Sequence, residues 1–383
     1  MNGTRRLALY ISNLDDVGGR MLVALAEGLA RRGYDVDLVL ARGAGPYQQG
    51  TLTGVRIVDL GARRIRTSVL ALAQYVPPLV SYLRRERPQA ILSVMNHANV
   101  IALAARKCAG TQTRLVVSEH AHLSAALQRT IVALGARRGP IMPWVMRYTY
   151  PWADHVVAVS EGVADDLARM IHLARDRVDV IYNPALTPGL HEQADAPLDH
   201  PWFQRDAVPV VLAVGRFSAE KNFDALIRAF AKLRKTSSAR LMILGEGELR
   251  PQLEALVDSL GLSEDVALPG FKDNPFQYMR RAALFALSSN HEGFGNVLIE
   301  TMACGTPVVS TDCPSGPGEI LENGKWGRLV KVGDIDALAD AMRTTLAETE
   351  HPDVANRAQN FGVESAVDRY LQLLLGHGNK LSQ

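Results

Sequence analysis

Residues 284 to 312 read LFALSSNHEGFGNVLIETMACGTPVVSTD. The apolar run Leu284 to Leu287, ending in Ser288, Ser289 and Asn290, has the pattern of a strand buried on both faces of a parallel sheet. Gly293 and Gly295 let the backbone turn at the carboxyl edge of that strand, and Asn296 suits the N-cap of the helix VLIETMAC that follows. A helix opening there presents N–H groups without intrahelical acceptors, and its dipole favours a phosphate. Glu292 precedes the turn, and Glu300 stands one helical turn beyond Asn296, roughly 6 Å further along the axis. Carboxylates repel phosphate, so a flanking pair is suited to accept hydrogen bonds from hydroxyls on either side of it. Two solvated glutamates beside a loop are the plain alternative. A sugar nucleotide, with a ribose and a hexose around a diphosphate, has the shape such a pair would bracket.

The Glu-x7-Glu spacing, the EGFG loop, MACGTPVV and its return strand occur in an order that resembles the nucleotide-sugar site of family 4 retaining glycosyltransferases. The resemblance implies an α/β chain of GT-B fold, two Rossmann-like domains facing each other across a cleft, with this stretch on the donor-binding C-terminal side. It also implies that Glu300 binds the ribose, that Glu292 binds the hexose hydroxyls, and that backbone amides of Phe294, Gly295, Asn296 and Val297 hold phosphate and sugar.

A chain of 383 residues accommodates two domains that each bury a core. With 47% apolar and 21% charged residues, neither disorder nor a fibrous class is indicated. Three cysteines, Cys108, Cys304 and Cys313, lack metal-like spacing, and their odd number argues for reduced thiols over a disulfide framework. Through residue 185 there are 23 Lys+Arg against 14 Asp+Glu; beyond it, 19 against 26. The first half is thus basic and rich in arginine, which suits phosphate or anionic lipid headgroups, or simply a solvated surface. Nucleic acid is the competing anion, and no binding motif supports it. The opening MNGTRRLALYISN lacks the apolar core of a signal peptide, and the longest apolar stretch, near residues 67 to 83, contains Pro77 and Pro78. The expectation is a cytoplasmic protein in peripheral contact with the inner face of an anionic plasma membrane.

The first domain is expected over residues 1–186. Strand Leu7 to Ile11 leads through Gly18, Gly19 and Arg20 to a helix from about Met21 to Arg32, where the glycines form either a tight turn or a close approach to a ligand. The resemblance places this loop in the cleft, beside donor phosphate and acceptor. Asp35 and Asp37 form a DxD, which elsewhere can hold a divalent ion, but they begin a strand on the edge away from any ligand. No metal and no cofactor is therefore expected. The segment Arg63 to Arg87 is an amphipathic helix at the membrane or an ordinary Rossmann helix. Glu119, His120 and His122 follow the strand at Leu115 to Val117, as Asn96, His97 and Asn99 follow the one at Ala90 to Val94. The family commonly has a cleft histidine in this domain, and His120 is its best match, with His97 second. Residues 129 to 152 mix Arg129, Arg137, Arg138 and Arg147 with Trp144, Tyr148, Tyr150 and Trp152, a composition for a membrane surface or for a helix packing its aromatics inward.

Residues 187–205, rich in Pro and Asp, read as a linker, and 206–360 as the second domain. There Val210 to Val214 form a strand, Asn222 caps a helix, and Arg216 and Lys221 stand between them, two cations able to neutralise a departing diphosphate. GRFSAEKNF resembles the family's phosphate-binding loop. Gly245 and Gly247 repeat the strand and glycine-turn pattern near the nucleotide, and Gly270, Phe271 and Lys272 resemble the turn whose backbone reads a uracil base. PSGP at 314–317 resembles bacterial transferases that build cell-surface polysaccharides and lipid-linked oligosaccharides, with Gly318 where many have arginine. Residues 361–383 hold a helix with an apolar stripe, which in GT-B proteins packs back on the first domain. The resemblance implies retaining transfer of a hexose or N-acetylhexosamine (GalNAc, GlcNAc or Gal) from a UDP-sugar to a polyprenyl-diphosphate-linked glycan. The alternatives are a sugar-nucleotide epimerase of the same architecture and a non-catalytic nucleotide-sugar-binding subunit. A dehydrogenase is disfavoured because NLDDVGG is not GxGxxG.

Overall fold

The computed structural model describes residues 6–12, 17–42, 52–61, 73–134, 141–204 and 207–376, except the side chains of 17–18 and 129–134. The RRIR run at 63–66, Arg137, Arg138, Arg205, the side chain of Arg129 and the surroundings of Gly18 therefore lie outside the description. The chain forms two compact units, Met1–Pro184 with Val363–Gln383, and Ala185–Gly362.

In the first unit, β1 (Arg6–Ile11), α1 (Val17–Arg31), β2 (Asp35–Leu40), β3 (Val55–Asp59), α2 (Val76–Glu86), β4 (Ala90–Val94) and α3 (Asn96–Ala109) alternate along the chain. They are followed by β5 (Arg114–Glu119), α4 (Leu123–Leu134), α5 (Met142–Thr149), β6 (His155–Ala158), α6 (Glu161–Ile171) and β7 (Val178–Val180). The seven strands are parallel in the order β3-β2-β1-β4-β5-β6-β7. Their central members are almost wholly buried and mostly apolar, as expected of parallel strands covered on both faces; Ser93, Ser118 and Glu119 are the buried polar residues on β4 and β5. Ser160 caps α6, its Oγ accepting the Val163 N–H at 3.1 Å.

The second unit runs α7 (Leu190–Asp195), β8 (Val210–Val214), α8 (Phe223–Arg234), β9 (Arg240–Leu244), α9 (Arg250–Ser259), β10 (Val266–Ala267), α10 (Phe276–Met279) and β11 (Leu284–Leu287). It closes with α11 (Asn296–Ala303), β12 (Val308–Thr311), α12 (Pro317–Ile320), β13 (Arg328–Val330), α13 (Ile335–Ala347) and α14 (Val354–Ala358). Its six parallel strands lie in the order β10-β9-β8-β11-β12-β13. The stretch read as a linker is instead part of this unit. Leu190 and Ala194 of α7 are buried, α7 packs on α10, and Arg281 donates to the Ala194 carbonyl at 3.1 Å. A single turn of helix carries too little periodicity to be seen among Pro and Asp.

The last helix, α15 (Val363–Leu375), returns to the first unit and packs on α1. Val363, Ala366, Val367, Tyr370 and Leu374 form its buried stripe, and burying each large member contributes about 1.5–3 kcal/mol as an upper figure. The approach to α1 is close because position 28 is glycine: a Cβ there would stand 2.5 Å from Val367 Cγ2.

Asp37, half of the DxD, is buried, with Arg56 donating to both carboxylate oxygens at 2.8 and 2.6 Å and the Tyr82 hydroxyl at 2.7 Å. Its oxygens are committed to holding β3 and α2 against β2.

Candidate functional site

The strand order of the second unit reverses between β8 and β11, the switch point at which the chains leaving two neighbouring strands diverge and open a crevice. The two loops that leave this point are stitched to each other. Asn290 donates its backbone N–H to the Glu220 carbonyl at 2.7 Å and its side-chain amide to the Ala219 carbonyl at 2.9 Å. Asn222 Nδ2 donates to Asn290 Oδ1 at 3.0 Å, and Ser288 Oγ to the Lys221 carbonyl at 2.7 Å. Asn222 thus occupies the N-cap position of α8 in a left-handed conformation, but its side chain crosses to the other loop instead of bonding the helix.

Over this seam lies the central ion pair, Lys221 Nζ to Glu292 Oε1 at 2.6 Å; the same oxygen accepts the Ser289 hydroxyl at 2.6 Å. The side chains are 21% and 10% exposed. A pair so largely removed from water gives up much of its Coulomb energy to desolvation, and either partner left alone is costly. Arg216, by contrast, is exposed and its guanidinium makes no ion pair with any described residue. One cation is held and one is loose.

A third loop, leaving β9, docks on the first. Phe217 donates its N–H to the Glu246 carbonyl at 2.8 Å, Leu249 to the Phe217 carbonyl at 3.1 Å, and Gly245 to the Gly270 carbonyl at 3.0 Å. The contact requires glycine: a Cβ at Gly245 would lie 1.9 Å from the Gly215 carbonyl oxygen, at φ +143. Gly270 continues into Phe271, whose ring is 72% exposed.

The turn before α11 differs from the sequence expectation. Gly295, at φ +100, is the N-cap, and Asn296 is the first helical residue. The chain enters the helix at φ +100, beyond the narrow left-handed region in which Asn222 caps α8 at φ +49, so glycine takes the position and a backbone conformation replaces a side-chain cap. Asn296 still offers a first-turn N–H. Glu300 is buried on α11. Behind the turn, a Cβ on Gly316 would meet the Phe294 carbonyl oxygen at 1.7 Å, and the buried Ser315 hydroxyl has no hydrogen-bond partner among the described residues. Burial pushes the thiols of Cys304 and Cys313 up to about 12, so neither is a thiolate nucleophile.

The loops around β8, β9, β11 and β12 therefore gather two cations, two carboxylates and a glycine-capped helix start beyond the strand ends of the second unit. Residues 200–360 match the family described as glycosyl transferases group 1, and residues 18–185 match glycosyltransferase family 4. The chain belongs to the family 4 glycosyltransferases.

Among its relatives, the N-acetylgalactosamine-N,N'-diacetylbacillosaminyl-diphospho-undecaprenol 4-alpha-N-acetylgalactosaminyltransferase of Campylobacter jejuni is 34% identical over 256 residues, 66% of each chain. The lipopolysaccharide core biosynthesis glycosyltransferase LpsE of Rhizobium meliloti is 36% identical over 231 residues, 58% of this chain and 64% of that one. The matches span about two thirds of these relatives' lengths. Of solved structures, the lipopolysaccharide outer core galactosyltransferase WaaB superposes with a TM-score of 0.73 at 20% identity, covering 97% of this chain and 100% of its own. The Anabaena HepE structure in complex with UDP gives 0.76 at 22%, covering 97% and 99%. The fold is GT-B.

In this family member, Arg216, Lys221, Gly245, Gly270, Phe271, Phe294, Gly295, Asn296, Val297, Glu292 and Glu300 all lie in the second unit, on loops or helix starts beyond its strand ends or, for Glu300, within α11. Sequence reasoning did not single out Asn222, Asn290, Ser288 and Ser289 as a seam; the signal was present, since three polar residues in succession end a strand that is otherwise fully apolar. Gly18, Gly19 and His120 lie in the first unit. Gly18 and Gly19 are not a free loop before a helix at Met21, because α1 already begins at Val17 and Gly19 is buried in its first turn. His97 opens α3 with its side chain exposed. His120 follows β5, Ser118 Oγ lies 3.0 Å from its Nε2, and burial holds the imidazole well below its ordinary range, hence neutral.

Beneath His120 lies a buried group that the sequence did not assign. Glu119 Oε1 accepts from Tyr150 OH and from Asn99 Nδ2 at 2.8 Å, and burial pushes its carboxyl up to about 7. The folded state therefore binds this proton more tightly than the unfolded chain. Its contribution is fully present below the unfolded pKa near 4.3 and is lost as pH rises through about 7. Thermal unfolding at several pH values is expected to show the first unit losing stability across this window, and Glu119→Gln is expected to abolish the loss. A wild-type profile unchanged by that substitution would contradict the assignment.

Proposed function

We propose that the chain transfers a hexose or N-acetylhexosamine from a UDP-sugar to a hydroxyl of a polyprenyl-diphosphate-linked glycan, with retention. The observation that carries the reading is the Lys221–Glu292 pair over the β8/β11 seam, with Arg216 exposed on the same loop as Lys221 and without an ion pair among the described residues. A donor entering the crevice brings a diphosphate that attracts Lys221 and Arg216 and hydroxyls that Glu292 accepts. Donor binding thus exchanges one ion pair for contacts with both partners. As the glycosidic bond breaks, negative charge grows on the leaving oxygen, where the two cations and the first-turn amides of α11 stabilise it. Retention is met by same-face attack, in which the acceptor oxygen bonds to the anomeric carbon as the bond to the diphosphate breaks and the leaving phosphate oxygen takes the acceptor proton. The Campylobacter relative, whose name specifies a diphospho-undecaprenol-linked acceptor, supports the lipid-linked acceptor and GalNAc as a donor sugar; the UDP named for HepE accords with uridine.

Because the diphosphate charge is met by Arg216, Lys221 and a helix dipole, transfer is expected to continue in EDTA. Activity abolished by chelation and restored by a divalent ion would overturn that part of the reading. Glu300→Ala, which removes a buried acceptor, is expected to raise the donor KM on the order of tenfold to a hundredfold with a smaller change in kcat. The primary test is UDP release from a panel of sugar donors, with and without lipid-linked acceptor. Acceptor-dependent release is expected. Conversion of the donor without acceptor indicates an epimerase, and tight binding without turnover indicates a regulatory subunit.

A further inference from the structure

Six large apolar side chains are exposed among the described residues, and four of them fall within twelve positions: Ile141 at 60%, Trp144 at 63%, Tyr148 at 56% and Trp152 at 40%. A chance scatter of exposed hydrophobics needs no explanation, but a contiguous patch does. Helix α5 turns Met142, Met146 and Thr149 inward, so its core face is already supplied. Ile141, Trp144 and Tyr148 form a second apolar stripe on the outward side, and the rings of Trp144 and Tyr148 lie 4.8 Å apart.

The rim of this stripe is cationic. Arg147 is exposed between Trp144 and Tyr148, and Lys107 at the end of α3 stands 5.7 Å from the Trp152 ring. The neighbouring Cys108 carbonyl accepts from Arg84 of α2 at 2.8 Å, which links Arg84 and the exposed Arg85 to the same face. Asp154, two residues from Trp152, is occupied by Arg106 and the Leu115 N–H, and Glu86, which accepts from Arg85 at 2.9 Å, is shared with Arg6 and Arg56. Among the described residues no helix is long and apolar enough to cross a membrane. We propose that this face docks on an anionic phospholipid bilayer, with Trp144, Tyr148 and Trp152 at headgroup depth and Lys107, Arg147, Arg84 and Arg85 against lipid phosphates. A stripe of exposed amphipathic rings beside exposed Lys107, Arg147, Arg84 and Arg85 suits a soft, negatively charged interface; a folded partner would need a groove shaped to receive it.

The proposal gives purpose to the lipid-linked acceptor but is tested without donor or acceptor, so failure of either reading leaves the other standing. The full chain is sedimented with vesicles of phosphatidylethanolamine and phosphatidylglycerol, and with phosphatidylcholine alone, at low and high salt. Binding to the anionic vesicles, weakened by salt, is expected, and Trp144→Ser/Tyr148→Ser/Trp152→Ser is expected to lower partitioning on the order of tenfold or more while keeping the wild-type circular dichroism. Brominated phosphatidylglycerol supplies a measurement on the unaltered protein, in which quenching of tryptophan fluorescence is expected. Absence of quenching, equal partitioning of the triple variant, or a wild-type dimer that the triple variant dissolves would each overturn the proposal, the last by assigning the face to a second copy of the chain.

Discussion

Replacing Lys221 by alanine is expected to lower turnover by about a hundredfold to a thousandfold, the usual cost of removing a group aimed at developing charge. Two effects add. The leaving diphosphate loses the cation held nearest the seam, and Glu292 loses the partner that stands 2.6 Å away in a largely buried position. The remaining Ser289 hydroxyl cannot replace a cation, so a largely buried carboxylate is left without its partner and loses the contact that fixes its orientation toward sugar hydroxyls. The fall should appear chiefly in kcat, because Arg216 and the amides of α11 still bind ground-state phosphate. Lys221→Arg should recover part of it. A double-mutant cycle with Glu292→Gln is the decisive measurement: coupling of about 0.5–3 kcal/mol is expected if the two side chains act as a pair. Strictly additive losses would separate their roles and remove the exchange of partners from the mechanism.

Gly245→Ala is expected to damage the site without touching a charged residue. The new methyl would sit 1.9 Å from the Gly215 carbonyl oxygen, a backbone atom that cannot swing aside as a side chain could. The residue would also be held at φ +143, a conformation that L residues rarely adopt. Strain and overpacking together cost about 2–5 kcal/mol, equivalent to a fall in Tm of roughly 5–15 °C for a unit of this size. Relief can come only by parting the β8 and β9 loops, which breaks the Gly245 to Gly270 and Phe217 to Glu246 hydrogen bonds. Donor affinity, read by calorimetry below the melting range, should therefore fall together with stability. A variant as stable as wild type would show that the loops are not packed as described.

The buried strands Leu284–Leu287 and Val210–Val214 were legible at their residues because a strand covered on both faces leaves a continuous apolar run. Arg216, Lys221 and Glu292 were legible as charged residues a few positions beyond apolar strands, where the chain leaves the sheet. The N-cap at Asn296 was misread for a specific reason: asparagine and glycine both enter helices, and only the path of the chain reveals which one adopts the left-handed turn. The helix inside 187–205 was missed because its six residues are too few for a period to show. Residues 129 to 152 allowed inward or outward aromatics, and the answer is divided, with Tyr150 buried against Glu119 while Trp144, Tyr148 and Trp152 face solvent.

By itself, the sequence determined the α/β class through its apolar runs and glycine turns, and its motifs carried the resemblance that pointed to GT-B; the proposed site residues it named lie beyond strand ends or on α11 of the second unit or, for Gly18, Gly19 and His120, in the first. Only the tertiary structure decided that Lys221 is held by Glu292 while Arg216 is loose, that Glu119 is a buried carboxyl with a raised pKa, and which aromatics meet water. Each of these depends on distances between residues far apart in the chain, and such distances exist only once the loops of neighbouring strands have been brought to the same edge of a sheet.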